Sequence, residues 1–101
     1  MAEVRRSSQA EIDLETILRD LQHNASVIAE RYATAFSDKS HALARFPEMG
    51  RSRPEIGHAV RSTLVYPYVI FYRVDGEVVQ ILRILHGKRD LQRIIREESE
   101  D

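Results

Sequence analysis

Cysteine is missing from all 101 residues, which excludes disulfides and thiolate metal sites. No apolar run approaches the roughly 20 residues needed to span a bilayer. The opening MAEVRRSSQAEIDLE has no apolar centre of the kind a secretion signal carries. These absences fit a protein of the reducing cytoplasm. The four histidines, His23, His41, His58 and His86, form no H-x-x-x-H pair and stand beside no carboxylate cluster, so no metal site is expected. A phosphate-cradling glycine loop and a nucleophile elbow are both lacking, so no cofactor is expected and serine-based hydrolysis has no support. Internal repeats and low-complexity tracts are absent as well. Lysine is scarce: Lys39 and Lys88 stand against thirteen arginines.

What remains is an ordinary globular composition, 43% hydrophobic and 31% charged. A chain of this length is expected to form one domain over residues 1–101 and to bury roughly 65% of its unfolded surface. The net charge of −1 hides segregation. Residues 1–44 hold five cations and seven acids, residues 45–96 hold ten and five, and residues 97–101 add four acids. Arginine suits bidentate contact with carboxylate or phosphate, so the second half is a plausible surface for something anionic. A solvated arginine-rich face is the alternative on charge alone.

Glu3 to Ser7 makes a short strand. Ser8 then caps a helix, with Glu11 three residues on completing an S-x-x-E box. Ala10, Leu14, Ile17, Leu18 and Leu21 recur at helical spacing, giving about 13 residues before Gln22-His23-Asn24 interrupts. A second helix begins near Ala25 with Ile28, Tyr32, Ala35, Phe36 and Leu43 on one stripe. Ser40 weakens that stripe, and the helix must end before Pro47. Two helices joined so tightly read as an antiparallel αα-hairpin. Pro47 to Gly57 is an ordered loop with Met49 and Ile56 as anchors. Strands follow over Val60–Val65, Tyr68–Val74 and Glu77–His86, and a short helix over Gln92–Glu98. The acidic end, 97–101, is expected to fray.

Asp75-Gly76 is the expected type I′ turn between the last two strands. That loop would set Val74 against Glu77, Tyr72 against Val79, Ile70 against Ile81 and Tyr68 against Arg83. One face would then carry Tyr68, Ile70, Tyr72, Val74, Val79, Ile81, Arg83 and Leu85. The other would carry Val69, Phe71, Arg73, Val78, Gln80, Leu82, Ile84 and His86. Neither alternates apolar with polar as a half-exposed antiparallel sheet does. Two helices cover one face, so the second points to a partner. Ile28, Tyr32, Phe36, Phe71, Leu82 and Ile84 are the residues assigned to that contact.

One constellation bears on chemistry. Arg61, Arg73, Arg83, His86, Lys88 and Arg89 lie on or beside the C-terminal strands, interleaved with Tyr66, Tyr68 and Tyr72. Cleaving RNA through its 2′-hydroxyl needs a base, an acid and cations for the phosphorane charge. His86, Arg61 and Arg89 would form that site. The competing reading is structural: His86 ends a strand, Arg83 pairs with Asp90, and Tyr72 is core.

The short first strand, the αα-hairpin with DLETIL, FPEMGRSRPEIG, YVIFYRVDGEVVQILRILHG and the closing KRDL occur in the order of ParE toxins, which the chain resembles over nearly its full length. The resemblance implies an α+β fold: an antiparallel sheet of about four strands on an N-terminal αα-hairpin, in the order β-α-α-β-β-β, with a short C-terminal helix. It also implies a ParD-type antitoxin, whose ribbon-helix-helix end binds DNA, so that DNA contact is indirect. ParE-like members are associated with poisoning DNA gyrase without catalysis. RelE-like members of the same superfamily cut messenger RNA on the ribosome, and that is the alternative activity. On the first reading Arg83, Lys88, Arg89 and Arg93 meet the target.

Overall fold

Two helices and five strands make up residues 1–87, the part of the chain that the computed structural model describes. They are β1 (Glu3–Arg6), α1 (Ser8–Asn24), α2 (Ser26–Arg45), β2 (Arg51–Ser52), β3 (Val60–Val65), β4 (Tyr68–Asp75) and β5 (Val78–His86). The expected C-terminal helix and frayed tail lie outside the described residues. The fold is α+β, and its single sheet runs β1-β5-β4-β3-β2. β1 lies parallel to β5, so the sheet is mixed where an antiparallel one was expected, and β2 adds a fifth, two-residue strand at its edge.

α1 starts one residue earlier than the capping pattern suggests. Ser7, with extended backbone, is the N-cap, and its hydroxyl accepts from the Ala10 N–H at 3.0 Å. Glu11 is therefore not closing a box with Ser8; it pairs with Arg6 at 2.8 Å. The helix continues to Asn24 through Gln22 and His23, and one extended residue, Ala25, separates it from α2. α2 stops at Arg45, as the downstream proline requires.

The β4–β5 hairpin corrects the expected register. Asp75 pairs with Val78, so the loop residues are Gly76 and Glu77 rather than Asp75 and Gly76. Gly76 has φ +61°, and Glu77 is not among the positive-φ residues, which is the φ pattern of type II′ rather than I′. Each strand slips by one residue, so the partners change while the faces near the turn are kept. Farther along, a bulge intervenes: Tyr72 faces Ile81 but Phe71 faces Arg83, leaving Leu82 as the extra residue. A one-residue insertion inverts every side chain beyond it. Ile84 therefore joins Ile70 on the helix side, Leu85 joins Val69 on the other, and Tyr68 meets His86, not Arg83.

The bulge is held from the opposite end of the chain. Beyond Arg6, β1 no longer pairs with β5, and the first turns of α1 take over. The Ser7 N–H donates to the Ile81 carbonyl at 2.9 Å, and its hydroxyl donates to the Leu82 carbonyl at 2.8 Å. The Asp13 carboxylate accepts from the Ile84 N–H at 3.0 Å and from the Arg83 guanidinium at 2.9 and 3.3 Å. Arg83 is thus paired with Asp13; Asp90, its expected partner, lies outside the described residues.

Under the helices, Ala10, Phe36 and Leu43 close over Val65, Ile70, Tyr72, Val79, Ile81 and Ile84. The reverse face is not bare: Val60, Val69, Phe71 and Leu85 are buried there with Ile56 and Leu82 against them. The loop before β3 is tied over that side by Arg53 donating to the Ser62 hydroxyl and by Arg73 donating to the His58 carbonyl.

Candidate functional site

The most heavily braced irregular segment is the turn from α2 into β2. Tyr72, 0% exposed, reaches it from β4: its hydroxyl donates to the Pro47 carbonyl and accepts from the Gly50 N–H, both at 2.8 Å. Burial pushes the Tyr72 phenol above its usual range, opposed by the Gly50 N–H that donates to it. Arg61, directly across the ladder from Tyr72, donates one nitrogen to the carbonyls of Gly50 at 2.8 Å and Glu48 at 3.3 Å. The Met49 N–H adds a bond to the Phe46 carbonyl. Gly50 is required by space: a Cβ there would lie 2.7 Å from the Tyr72 ring and 2.8 Å from the Ser62 carbonyl. The turn so fixed carries Phe46, 61% exposed, with the Arg45 guanidinium 5.7 Å from its ring centre, and Met49, 44% exposed. Met49 is therefore not the buried anchor expected of it, whereas Ile56 does pack inward. The signal that was missed is F-P-x-M-G itself, two large apolar residues around a proline in a loop too short to bury them.

Of the three residues assigned to nuclease chemistry, Arg89 lies outside the described residues. The other two are not brought together. Arg61 faces Tyr72 and His86 faces Tyr68, on strands either side of β4. Four residues along β4 and two strand spacings across put their Cα atoms about 16 Å apart. His86 sits edge-on to the Tyr68 ring at 5.9 Å, and Tyr68 in turn meets Tyr32 at 5.6 Å. Among the described residues, no group of three or more His, Asp or Glu side chains is placed to hold a metal ion.

The residues assigned to target contact divide similarly. Arg83 is bound to Asp13, whose side chain is only 9% exposed, while Lys88, Arg89 and Arg93 lie outside the described residues. Of the six assigned to antitoxin contact, Ile28 is exposed and Tyr32 and Leu82 are half-buried. Phe36 and Ile84 belong to the main core and Phe71 to the smaller one. The bulge explains Ile84, which the inverted register turns inward. Phe36 and Ile84 still line an open crevice of about 500 Å³ between the helices and the sheet, with Arg6, Ser37, Ser40 and His41 as its polar lining. No helix among the described residues is long and apolar enough to cross a membrane.

Two helices lie on one face of a five-stranded sheet, with a mainly apolar crevice between helices and sheet, and solved structures of toxin–antitoxin systems share this arrangement. The structure "Chromosomal ParDE TA system from P. aeruginosa" matches with a TM-score of 0.72 at 23% identity, covering 87% of this chain and 98% of that one. At that identity the likeness speaks for the fold alone. The toxin–antitoxin complex RelBE2 of Mycobacterium tuberculosis matches with a TM-score of 0.63 at 26% identity, covering 84% and 96%. The sequence narrows the class. Residues 4–91 match the model of the ParE toxin of the type II toxin–antitoxin system parDE. Toxin ParE3 of Caulobacter vibrioides is 35% identical over 92 residues, 90% of this chain and 92% of that protein. Toxin ParE1 of Mycobacterium tuberculosis is 32% identical over 66 residues, 64% and 67% of the two chains. The chain belongs to the ParE toxin family of type II toxin–antitoxin systems.

Proposed function

We infer that this ParE toxin arrests growth by binding DNA gyrase in the cytoplasm, without cleaving RNA, and that a ParD-type antitoxin silences it. The observation that carries the reading is the separation of Arg61 from His86. A concerted transfer needs base, acid and phosphate clamp within hydrogen-bond reach of one position. Here Arg61 is engaged with the Gly50 and Glu48 carbonyls, about 16 Å from the histidine by strand geometry. Target contact is assigned to the basic run of Lys88, Arg89 and Arg93, with Arg83 holding the strand end before it. Antitoxin contact is assigned to Ile28, Tyr32 and Leu82, and to the crevices that Phe36, Phe71 and Ile84 line.

Inducing the toxin without antitoxin separates the two activities of the superfamily. The gyrase reading expects a DNA-damage response while translation continues. The likeness to the RelBE2 toxin supports the endoribonuclease alternative, which expects translation to collapse with ribosome-dependent RNA cleavage. His86→Gln should leave growth arrest intact, whereas charge reversal at Arg89 or Arg93 should weaken it. Each variant must first be shown to fold and bind antitoxin. If His86→Gln abolishes both arrest and RNA cleavage in a folded protein, the enzyme reading replaces this one.

A further inference from the structure

A second feature of the fold bears on how the target is held, and it rests on the reading just given that the target is a protein. We propose that the α2–β2 turn is an apolar anchor that enters an acid-rimmed pocket on that target. Large apolar side chains in a short turn usually find cover or move. Here Phe46 and Met49 stay exposed while Tyr72 and Arg61 fix the backbone beneath them through four hydrogen bonds of 2.8–3.3 Å. Their exposure is therefore built in, and a preformed anchor loses little entropy when it docks. Aromatic, Met and Arg side chains are also those enriched at the centres of protein interfaces.

Shape and charge select the occupant. Phe46 and Met49 stand exposed on a backbone that is already fixed, which suits a preformed pocket on a folded protein; a peptide segment suits the crevice under the helices instead. Arg45 lies over the Phe46 ring, and Arg51 and Arg61 follow on β2 and β3, against Glu48 alone within the turn. The turn side is net cationic, so the part of the receiving pocket that meets it carries carboxylates. Across a shallow notch of about 710 Å³ stand Val74 and Gly76 of the hairpin, flanked by Asp75 and Glu77. The partner is thus met by cations on the turn side and acids on the hairpin side, which fixes its orientation.

The test uses the full-length toxin carrying Phe46→Ser with Met49→Ser, and separately Arg45→Glu and Arg45→Lys. Three quantities are read: inhibition of gyrase supercoiling, affinity for the antitoxin, and melting temperature. The double variant should lose at least tenfold in inhibition at unchanged melting temperature and antitoxin affinity. Arg45→Glu should lose several-fold and Arg45→Lys little. Inhibition that survives the double variant overturns the proposal, and so does antitoxin affinity lost in step with it, since the turn would then serve the antitoxin. If the unaltered toxin inhibits no gyrase, the gyrase reading fails by itself; growth arrest on induction then replaces supercoiling as the readout, and arrest that persists in the double variant sinks the anchor.

Discussion

On one side of the sheet, side chains from two long helices meet Ile70, Tyr72, Val79, Ile81 and Ile84; on the other, Val60, Val69, Phe71 and Leu85 are buried with Ile56 and Leu82 alone packed against them among the described residues. The first side is closed by regular elements whose apolar residues recur every three or four positions. The second is closed in part by an irregular loop held through single polar tethers, Arg53 to Ser62 and Arg73 to the His58 carbonyl. A sheet can therefore be apolar on both faces while a preceding loop covers part of the second. The inference from a two-faced hairpin to a bare partner surface is unsafe wherever a loop of suitable length precedes the strands.

The largest expected effect compares the two sides directly. Leu43 of α2 and Leu85 of β5 are buried to 0% and 3% exposure, so truncating each to alanine removes the same chemistry. Leu→Ala substitutions in cores cost about 2–5 kcal/mol, and the spread reflects how well the site can collapse. Leu43→Ala should fall near the top of that range, because helix and sheet cannot close the gap. Leu85→Ala should fall near the bottom, because the loop can settle inward. Urea denaturation measures both, and an inverted order would mean that the second side is the rigid one.

Much of this architecture was legible in the sequence. Helical spacing of Ala10, Leu14 and Ile17, the stop imposed by Pro47 and the three apolar strands each rest on local chemistry, and each element exists. The hairpin register was not legible, for two separate reasons. Gly76 takes positive φ under either turn type, so the dipeptide alone cannot say which residue follows it into the loop. The bulge at Leu82 answers to Ser7 and Asp13, more than 65 residues earlier, and no local pattern announces such a partner. The site divides in the same way. Tyr72 reads as core from alternation, but the use of its hydroxyl to hold Pro47 and Gly50 appears only when β4 and the turn are set side by side.

The bulge decides which side chains belong to which face, so removing its support should blur the two. Asp13 is the acceptor for the Ile84 N–H and the partner of Arg83. Asp13→Ala leaves a half-buried N–H unpaired, at a cost of about 1–3 kcal/mol. Asp13→Asn, which keeps an acceptor for Ile84 but not the charge for Arg83, should cost less. Hydrogen exchange at the Ile84 amide reports the change locally: it should quicken in the alanine variant well beyond what the lost global stability explains. Unaltered exchange there would show that β5 holds its bulge without help from α1.

The smallest effect lies at alkaline pH, where Tyr72 links the helix-covered face to the turn. Burial raises its pKa above the ordinary phenol value of 10.0 in the folded chain. Between that ordinary value and the raised one, the unfolded chain has lost the phenolic proton while the native chain keeps it. The native state then binds more protons, so stability falls as pH rises through the window; below pH of about 10 the contribution is fully present. One such group changes stability by at most about 1.4 kcal/mol per pH unit. Tyr72→Phe should be less stable at neutral pH, because the Pro47 carbonyl and Gly50 N–H lose their partner. It should also show a shallower decline than the unaltered protein across pH 10 and above. Chemical denaturation at stepped pH values compares the two slopes. Parallel slopes would mean that the phenol ionises as readily in the folded chain as in the unfolded one, and that burial under the helices does not extend to the hydroxyl that holds the turn.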